Sequence, residues 1–265
     1  MADATTATEF VTSTDGTRIA FSRTGTGPVL VLVDGAMCYR DFGPAKDFTE
    51  ALKGDFTVVS YDRRGRGESG DSSTYDAKLE FDDLRAVLDA VGGSPYVLGF
   101  SSGAGLAYRA AAAGAKMSKL VGYESPWVGR RGGRDYVRDL DALAAQGRGD
   151  KMVDYFMTKM IGAPFFVPVM FRLMGANWKK LTAVGLTIRY DARVMGGDFE
   201  VPVAELAKIT VPTLTVWGSK AAEEMVAGNE KVAASIPGAQ SRVLEGQTHN
   251  VTPAALAPVL RDFFA

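Results

Sequence analysis

The chain has 265 residues and a formal net charge of −1, enough length for one sizeable α/β domain and no electrostatic reason to expect nucleic acid or an anionic membrane as partner. A single cysteine, Cys38, and a single histidine, His249, exclude an internal disulfide framework and a His-rich zinc centre. No stretch reaches transmembrane length without charge and Met1–Thr6 lacks a basic-then-apolar leader pattern, so the expected address is the cytoplasm.

Phe10-Val11-Thr12 and Arg18-Ile19-Ala20-Phe21 flank Asp15-Gly16, the turn pair of a β-hairpin. Val29 to Val33 and Phe56 to Tyr61 are apolar runs of the kind that form strands buried on both faces. A helix is expected between them, from about Phe42 to Leu52. The basic pairs Arg63-Arg64 and Arg130-Arg131 are each offset by nearby acids, which predicts a solvated surface for both. Glycines 65, 67 and 70 do not form a phosphate-binding loop, because an acidic, polar stretch follows them in place of a helix start. Phe81, Leu84, Val87, Leu88 and Val91 recur at helical spacing. A strand over 96–100, a small-residue helix over 102–113 and a strand over 119–123 come next.

From Pro126 to about Val203 the alternation of strand and helix stops. This stretch is irregular and helical, with Met152, Phe156, Met157, Met160, Phe165, Phe166, Met170, Phe171 and Met174. Such side chains are expected mainly to pack against the rest of the protein. An insert over the carboxyl ends of the strands also leaves some of them free to line an apolar pocket. Strands resume at Thr213 to Trp217 and Ser241 to Leu244, with helices near 222–235 and 253–264. The alternation predicts an α/β fold, a mostly parallel eight-stranded sheet with helices on both faces. Its core spans 1–125 and 204–265, and a helical cap over 126–203 is inserted in it.

Gly99-Phe100-Ser101-Ser102-Gly103 lies where the strand over 96–100 meets the helix that follows. A serine between glycines at such a junction sits on a sharp turn that pushes its hydroxyl clear of the backbone. A serine hydroxyl is a weak nucleophile until a base takes its proton, and histidine suits that role near neutral pH. His249 is the one candidate, in a loop directly after the last strand, at the same sheet edge as Ser101.

Taken together, Val33-Asp34-Gly35, Tyr61 to Ser69, Gly99 to Gly103 and Glu245 to His249 resemble, in order, the motifs of α/β-hydrolase-fold proteins. The resemblance covers essentially the whole chain. It implies an oxyanion hole built from the backbone N–H groups of Ala36 and Ser102. It implies a nucleophile, Ser101, a base, His249, and a third group that orients the base.

Two departures from the family pattern stand out. Asp34-Gly35 replaces the usual His-Gly; Asp34 is expected to be structural, though an acid at the mouth of a site would alter specificity or pH behaviour. The usual position of the acid, after the penultimate strand, holds Ala221. Glu124, at the end of the strand over 119–123, replaces it in this reading, as in family branches that place the acid after that strand. Glu223 is the second candidate. Asp62 resembles a structural signature that pairs with nearby arginines, and nothing marks Cys38 as a nucleophile.

The expected activity is hydrolysis of a carboxylic ester or similarly activated acyl compound by a Ser-His-Glu triad. It requires no cofactor and no metal. Its partner is a small-molecule apolar acyl substrate, and the protein is a monomer or homodimer. Lactone, amide or carbon–carbon bond hydrolysis and perhydrolysis fit the same residues, and Ala221 with Asp34 leave open a non-catalytic ligand-binding homologue. Aspartate-nucleophile chemistry is disfavoured because Ser101 stands at that position.

Overall fold

The computed structural model describes residues 7–173 and 175–265. Met1–Thr6, on which the expectation about a leader rests, and Met174 of the apolar stripe lie outside them.

Strands β1 (Glu9–Thr12) and β2 (Arg18–Thr24) form the hairpin at Asp15-Gly16. The Asp15 carboxylate accepts the Thr17 N–H at 3.0 Å, the local bond that makes aspartate a turn residue. Next come β3 (Val29–Val33), α1 (Pro44–Leu52), β4 (Thr57–Tyr61), α2 (Ala77–Val91), β5 (Tyr96–Phe100), α3 (Ser102–Ala112) and β6 (Lys119–Tyr123). Helix α1 starts later than Phe42, because Phe42 is bridged to Tyr39 and Pro44 sets the first turn. Helix α2 starts earlier than Phe81, where the Asp76 side chain accepts the Lys78 N–H and caps it.

Between β6 and β7 the chain forms α4 (Tyr136–Ala144), α5 (Gly149–Tyr155), a π-helical turn (Phe156–Met160), α6 (Val167–Leu173), α7 (Ala176–Ala183), α8 (Ile188–Val194) and α9 (Val203–Leu206). Strand β7 (Thr213–Gly218), α10 (Glu223–Ser235), β8 (Gln240–Leu244) and α11 (Pro253–Phe264) complete the fold. Eight strands make one sheet in the order β1-β2-β4-β3-β5-β6-β7-β8. Only the β1–β2 and β2–β4 pairings are antiparallel.

Both faces of the sheet are buried, which explains the unbroken apolar strands. Val31 and Val33 of β3 join a core with Leu88 of α2 and Leu106 of α3. Leu30 and Leu32 face the other way, among Phe48 of α1 and Leu260 of α11. Because β3 to β8 run parallel, the chain leaves every one of these strands at the same edge, and the loops there converge.

Two expectations about exposure fail. Arg63 and Arg64 are not solvated: they are 1 % and 0 % exposed. Two guanidinium nitrogens of Arg63 donate to Glu80 at 2.6 and 2.9 Å, and two of Arg64 donate to Asp83 at 2.7 Å each. Their carboxylates arrive from another element, so sequence neighbours could not reveal the pairing. Arg130 and Arg131 are exposed, as expected. The apolar stripe also divides. Met152 and Met157 are buried, but Phe165, Phe166 and Met170 are 84, 50 and 58 % exposed. The short helix α6 turns Val167, Pro168 and Phe171 inward, which leaves Val169, Met170 and Leu173 facing out. No helix among the described residues is long and apolar enough to cross a membrane.

Candidate active site

Ser101 occupies the single residue between β5 and α3, at φ 52° and ψ −125°. This left-handed backbone costs a non-glycine residue about 1–3 kcal/mol. Its neighbours permit the turn: a Cβ on Gly103 would lie 2.2 Å from the Val33 carbonyl oxygen, and one on Gly99 would lie 2.6 Å from the Gly103 carbonyl oxygen. The Ser101 N–H donates to the Tyr123 carbonyl at 2.9 Å, fixing the turn to β6.

Glu124 follows β6, also with positive φ, 45°. It is fully buried. The Gly218 N–H donates to its Oε1 at 2.9 Å, and His249 Nδ1 lies 2.7 Å from its Oε2. His249 Nε2 lies 3.1 Å from Ser101 Oγ. A carboxylate only accepts, so Nδ1–H donates to Glu124 and Nε2 is left to accept the Ser101 hydroxyl proton. The three side chains form one hydrogen-bonded chain, delivered by three different loops at the carboxyl edge of the sheet.

Those loops brace one another. The Tyr123 hydroxyl donates to the Thr248 carbonyl at 2.6 Å, and the Lys220 N–H donates to the Gln247 carbonyl at 3.0 Å. A Cβ on Gly218 would lie 2.2 Å from that Gln247 oxygen, so glycine is needed for the approach. Buried Asn229 of α10 accepts the N–H and hydroxyl of Ser125 at 3.1 Å each, holding the turn after Glu124. Ala221 lines the cavity beside the histidine loop, whereas Glu223 opens α10 as an exposed residue outside that lining.

Above Ser101 lies a cavity of about 800 Å³. Its walls are mainly apolar and include Phe48 and Phe100 from the sheet side and Tyr136, Phe156, Met160 and Phe199 from the segment between β6 and β7. Arg131 and Glu224, both on the lining, pair across it at 2.5 Å. Ser101, Glu124 and Phe199, three of the four non-glycine residues with positive φ among those described, line it. The fourth, Met37, adjoins Ala36. Backbone strain is thus gathered around one cavity.

Ala36 and Ser102 lie on the lining beside Ser101. Asp34 is 2 % exposed and stands behind the lining, not at its mouth. Its Oδ1 accepts the Ala45 N–H at 3.2 Å in the first turn of α1, while its Oδ2 has no partner among the described residues. Burial pushes its carboxyl up to about 7, against the opposing pull of the Ala45 N–H, Arg66 and Arg63. The Cys38 thiol donates to the Ala36 carbonyl at 3.4 Å, and burial raises it well above the usual thiol range. Asp62 accepts from Arg40 N and Nε at 2.8 and 3.1 Å and from the Glu68 N–H at 2.9 Å, away from the nucleophile.

Asp191 is the site residue that sequence reasoning missed. It comes from α8, is 2 % exposed, and lines the cavity. Ser102 Oγ and Arg63 Nη1 donate to its Oδ1 at 2.7 Å each, and Arg66 Nη2 donates to its Oδ2 at 2.7 Å. Burial opposes its charge, but Arg66, Arg63 and the Ser102 hydroxyl outweigh burial and hold the carboxyl below its usual range. The available signal was its spacing: Asp191 falls on the buried helical face of Ile188, Ala192 and Val194.

Residues 25–260 match the model of the alpha/beta hydrolase family, and the chain belongs to that family, which places it among the hydrolases. It is similar to an alpha/beta hydrolase from Sphaerobacter thermophilus, at 41 % identity and a TM-score of 0.88 over 97 % of this chain and 100 % of that one. A thermophilic esterase from Thermogutta terrifontis is 22 % identical, with a TM-score of 0.71 over 98 % of this chain and 100 % of its own. An enol-lactonase from Burkholderia xenovorans is 18 % identical, with a TM-score of 0.68 over 97 % and 99 % of the two chains. The last two share its fold.

Proposed function

We propose that the protein is a serine hydrolase that cleaves a carboxylic ester, or a similarly activated acyl compound, through an acyl-enzyme on Ser101. The observation that carries this reading is the contact chain from Ser101 Oγ through His249 to Glu124, at 3.1 and 2.7 Å. Ser101 Oγ attacks the carbonyl carbon while His249 Nε2 takes its proton. The imidazolium that forms is stabilised by Glu124, which also holds the ring in the required tautomer. Negative charge on the former carbonyl oxygen is met by the N–H groups of Ala36 and Ser102, the latter at the amino end of α3. Collapse expels the alcohol, which leaves with the proton from His249. Water then attacks the acyl carbon, gives a proton to His249, and releases the acid as Ser101 recovers its hydrogen.

Residues 126–203 act in this reading as a cap on a core of 1–125 and 204–265, and choose the acyl group. The apolar walls and 800 Å³ of the cavity suit a small to medium apolar acyl chain. No step draws on a metal or cofactor, and the single cysteine fits a cytoplasmic enzyme. Nitrophenyl esters of increasing acyl length test the reading. The wild type is expected to turn them over and Ser101→Ala to lose that turnover. Equal rates for the two proteins across the series would overturn it.

A further inference from the structure

The carbonyl and the N–H of one peptide unit are held rigidly opposite each other, so gripping the carbonyl aims the N–H. Gly35 and Ala36 share such a unit. Arg66 Nη1 donates to the Gly35 carbonyl at 2.7 Å and to the Cys38 carbonyl at 3.3 Å. The same guanidinium is held in turn by Asp191 Oδ2 at 2.7 Å and by Thr187 Oγ1 at 3.0 Å. The other oxygen of Asp191 accepts the Ser102 hydroxyl, and with it Arg63 Nη1, which also donates to the Asp34 carbonyl at 3.3 Å. One carboxylate therefore contacts both walls of the cavity floor. Through Oδ1 it fixes Ser102 at the start of α3, and through Oδ2 and Arg66 it fixes the peptide that carries the Ala36 N–H.

We propose that Asp191 is a positioning residue for the oxyanion site, setting the aim of the Ala36 and Ser102 N–H groups from within the helical insertion. The inference rests on the acyl-enzyme reading above, which supplies those two N–H groups with their role. Its physical basis is preorganisation: donors aimed in advance at the developing charge need not reorient as the reaction proceeds. Burial makes the arrangement stiff, since Asp191, Arg63 and Arg66 are each no more than 2 % exposed and charged hydrogen bonds are stronger where the local dielectric is low. It also makes a segment remote in sequence part of the site, because α8 lies between β6 and β7 while Ser102 opens α3 and Gly35 lies in the loop after β3.

The test compares ester hydrolysis by the wild type, Asp191→Asn, Arg66→Lys and Ser102→Ala, together with inhibition by a trifluoromethyl ketone that adds to the serine and mimics the oxyanion. Asp191→Asn is expected to lower kcat by about 10²-fold, the scale of losing one oxyanion donor, with KM kept within about threefold. Its affinity for the trifluoromethyl ketone should fall in step with kcat/KM. Arg66→Lys keeps the charge but loses the fork that spans Asp191 and Gly35, and should show the same split between kcat and KM. Ser102→Ala removes one hydroxyl with little volume change, and should show a smaller fall of the same kind. These two variants decide the matter if Asp191→Asn does not fold. Unchanged kcat and unchanged ketone affinity in the folded variants would overturn the role of Asp191 while leaving the acyl-enzyme intact. A wild type without ester turnover would instead remove the reading on which the role rests.

Discussion

Asp34 is a carboxyl that burial keeps protonated where an exposed aspartate has lost its proton. Its folded value of about 7 stands above the ordinary 3.8. Between those values the unfolded chain has released the proton and the folded chain retains it, so this group lowers stability as pH rises through that window. Asp34→Asn can keep the Ala45 contact through its amide oxygen and has no proton to release. Relative to wild type, its stability is expected to rise by about 2–3 kcal/mol from pH 5 to pH 8. Urea unfolding at the two pH values measures this, and an unchanged difference would mean that Asp34 is already ionised in the folded protein at pH 5. Residues differed in how far the sequence disclosed them. Ser101 and His249 stood out because the chain has one elbow motif and one histidine. Glu124 could be singled out only by its place at a strand end, opposite an alanine where an acid was expected. Asp191 was hidden among helical residues, since its partners Arg66 and Ser102 are 125 and 89 positions away.

Among the elements, β3, β5, β6 and β7 were legible because strands buried on both faces read as unbroken apolar runs. The starts of α1 and α2 were not, because they depend on Pro44 and Asp76, punctuating residues outside the apolar pattern. The run of helices between β6 and β7 was legible as a break in the alternation but not in its exposure, because short helices such as α6 bury one narrow face. The loops after β6, β7 and β8 are where the elements determine chemistry. Gly218 joins two of them, since any side chain there would meet the Gln247 carbonyl. Gly218→Ala is therefore expected to displace the segment that carries His249. A displacement of about 1 Å costs roughly 10²-fold in rate, and stability should fall far less in proportion. Comparing kcat/KM with the thermal midpoint checks this, and wild-type activity in the variant would show that the loop accommodates the methyl group.

For the whole molecule, the parallel sheet gathers its loops at one edge, and the segment between β6 and β7 supplies part of the wall of the cavity there. Buried arginines join the layers. Arg64 links β4's loop to α2 through Asp83 and to the hairpin through Asp15 at 2.9 Å. Arg64→Ala leaves Asp83 buried without its partner, and is expected to destabilise the fold by about 3–5 kcal/mol. Arg23→Ala removes a half-exposed pair with Glu9 and should cost about 1 kcal/mol. Chemical denaturation of the two variants side by side measures the contrast, and equal losses would contradict the stabilising role given to the buried network.

A nucleophilic Ser101 activated by His249 and Glu124 can be trapped covalently. A fluorophosphonate probe, followed by intact mass and peptide mapping, is expected to give one adduct on Ser101 in the wild type and none in Ser101→Ala. Glu223→Gln should label at the wild-type rate. Glu124→Gln should label more slowly by about 10³-fold or more, as expected when the base loses its orienting acid. An unlabelled Ser101 in the folded wild type, or a loss of labelling in Glu223→Gln with full labelling in Glu124→Gln, would contradict the account.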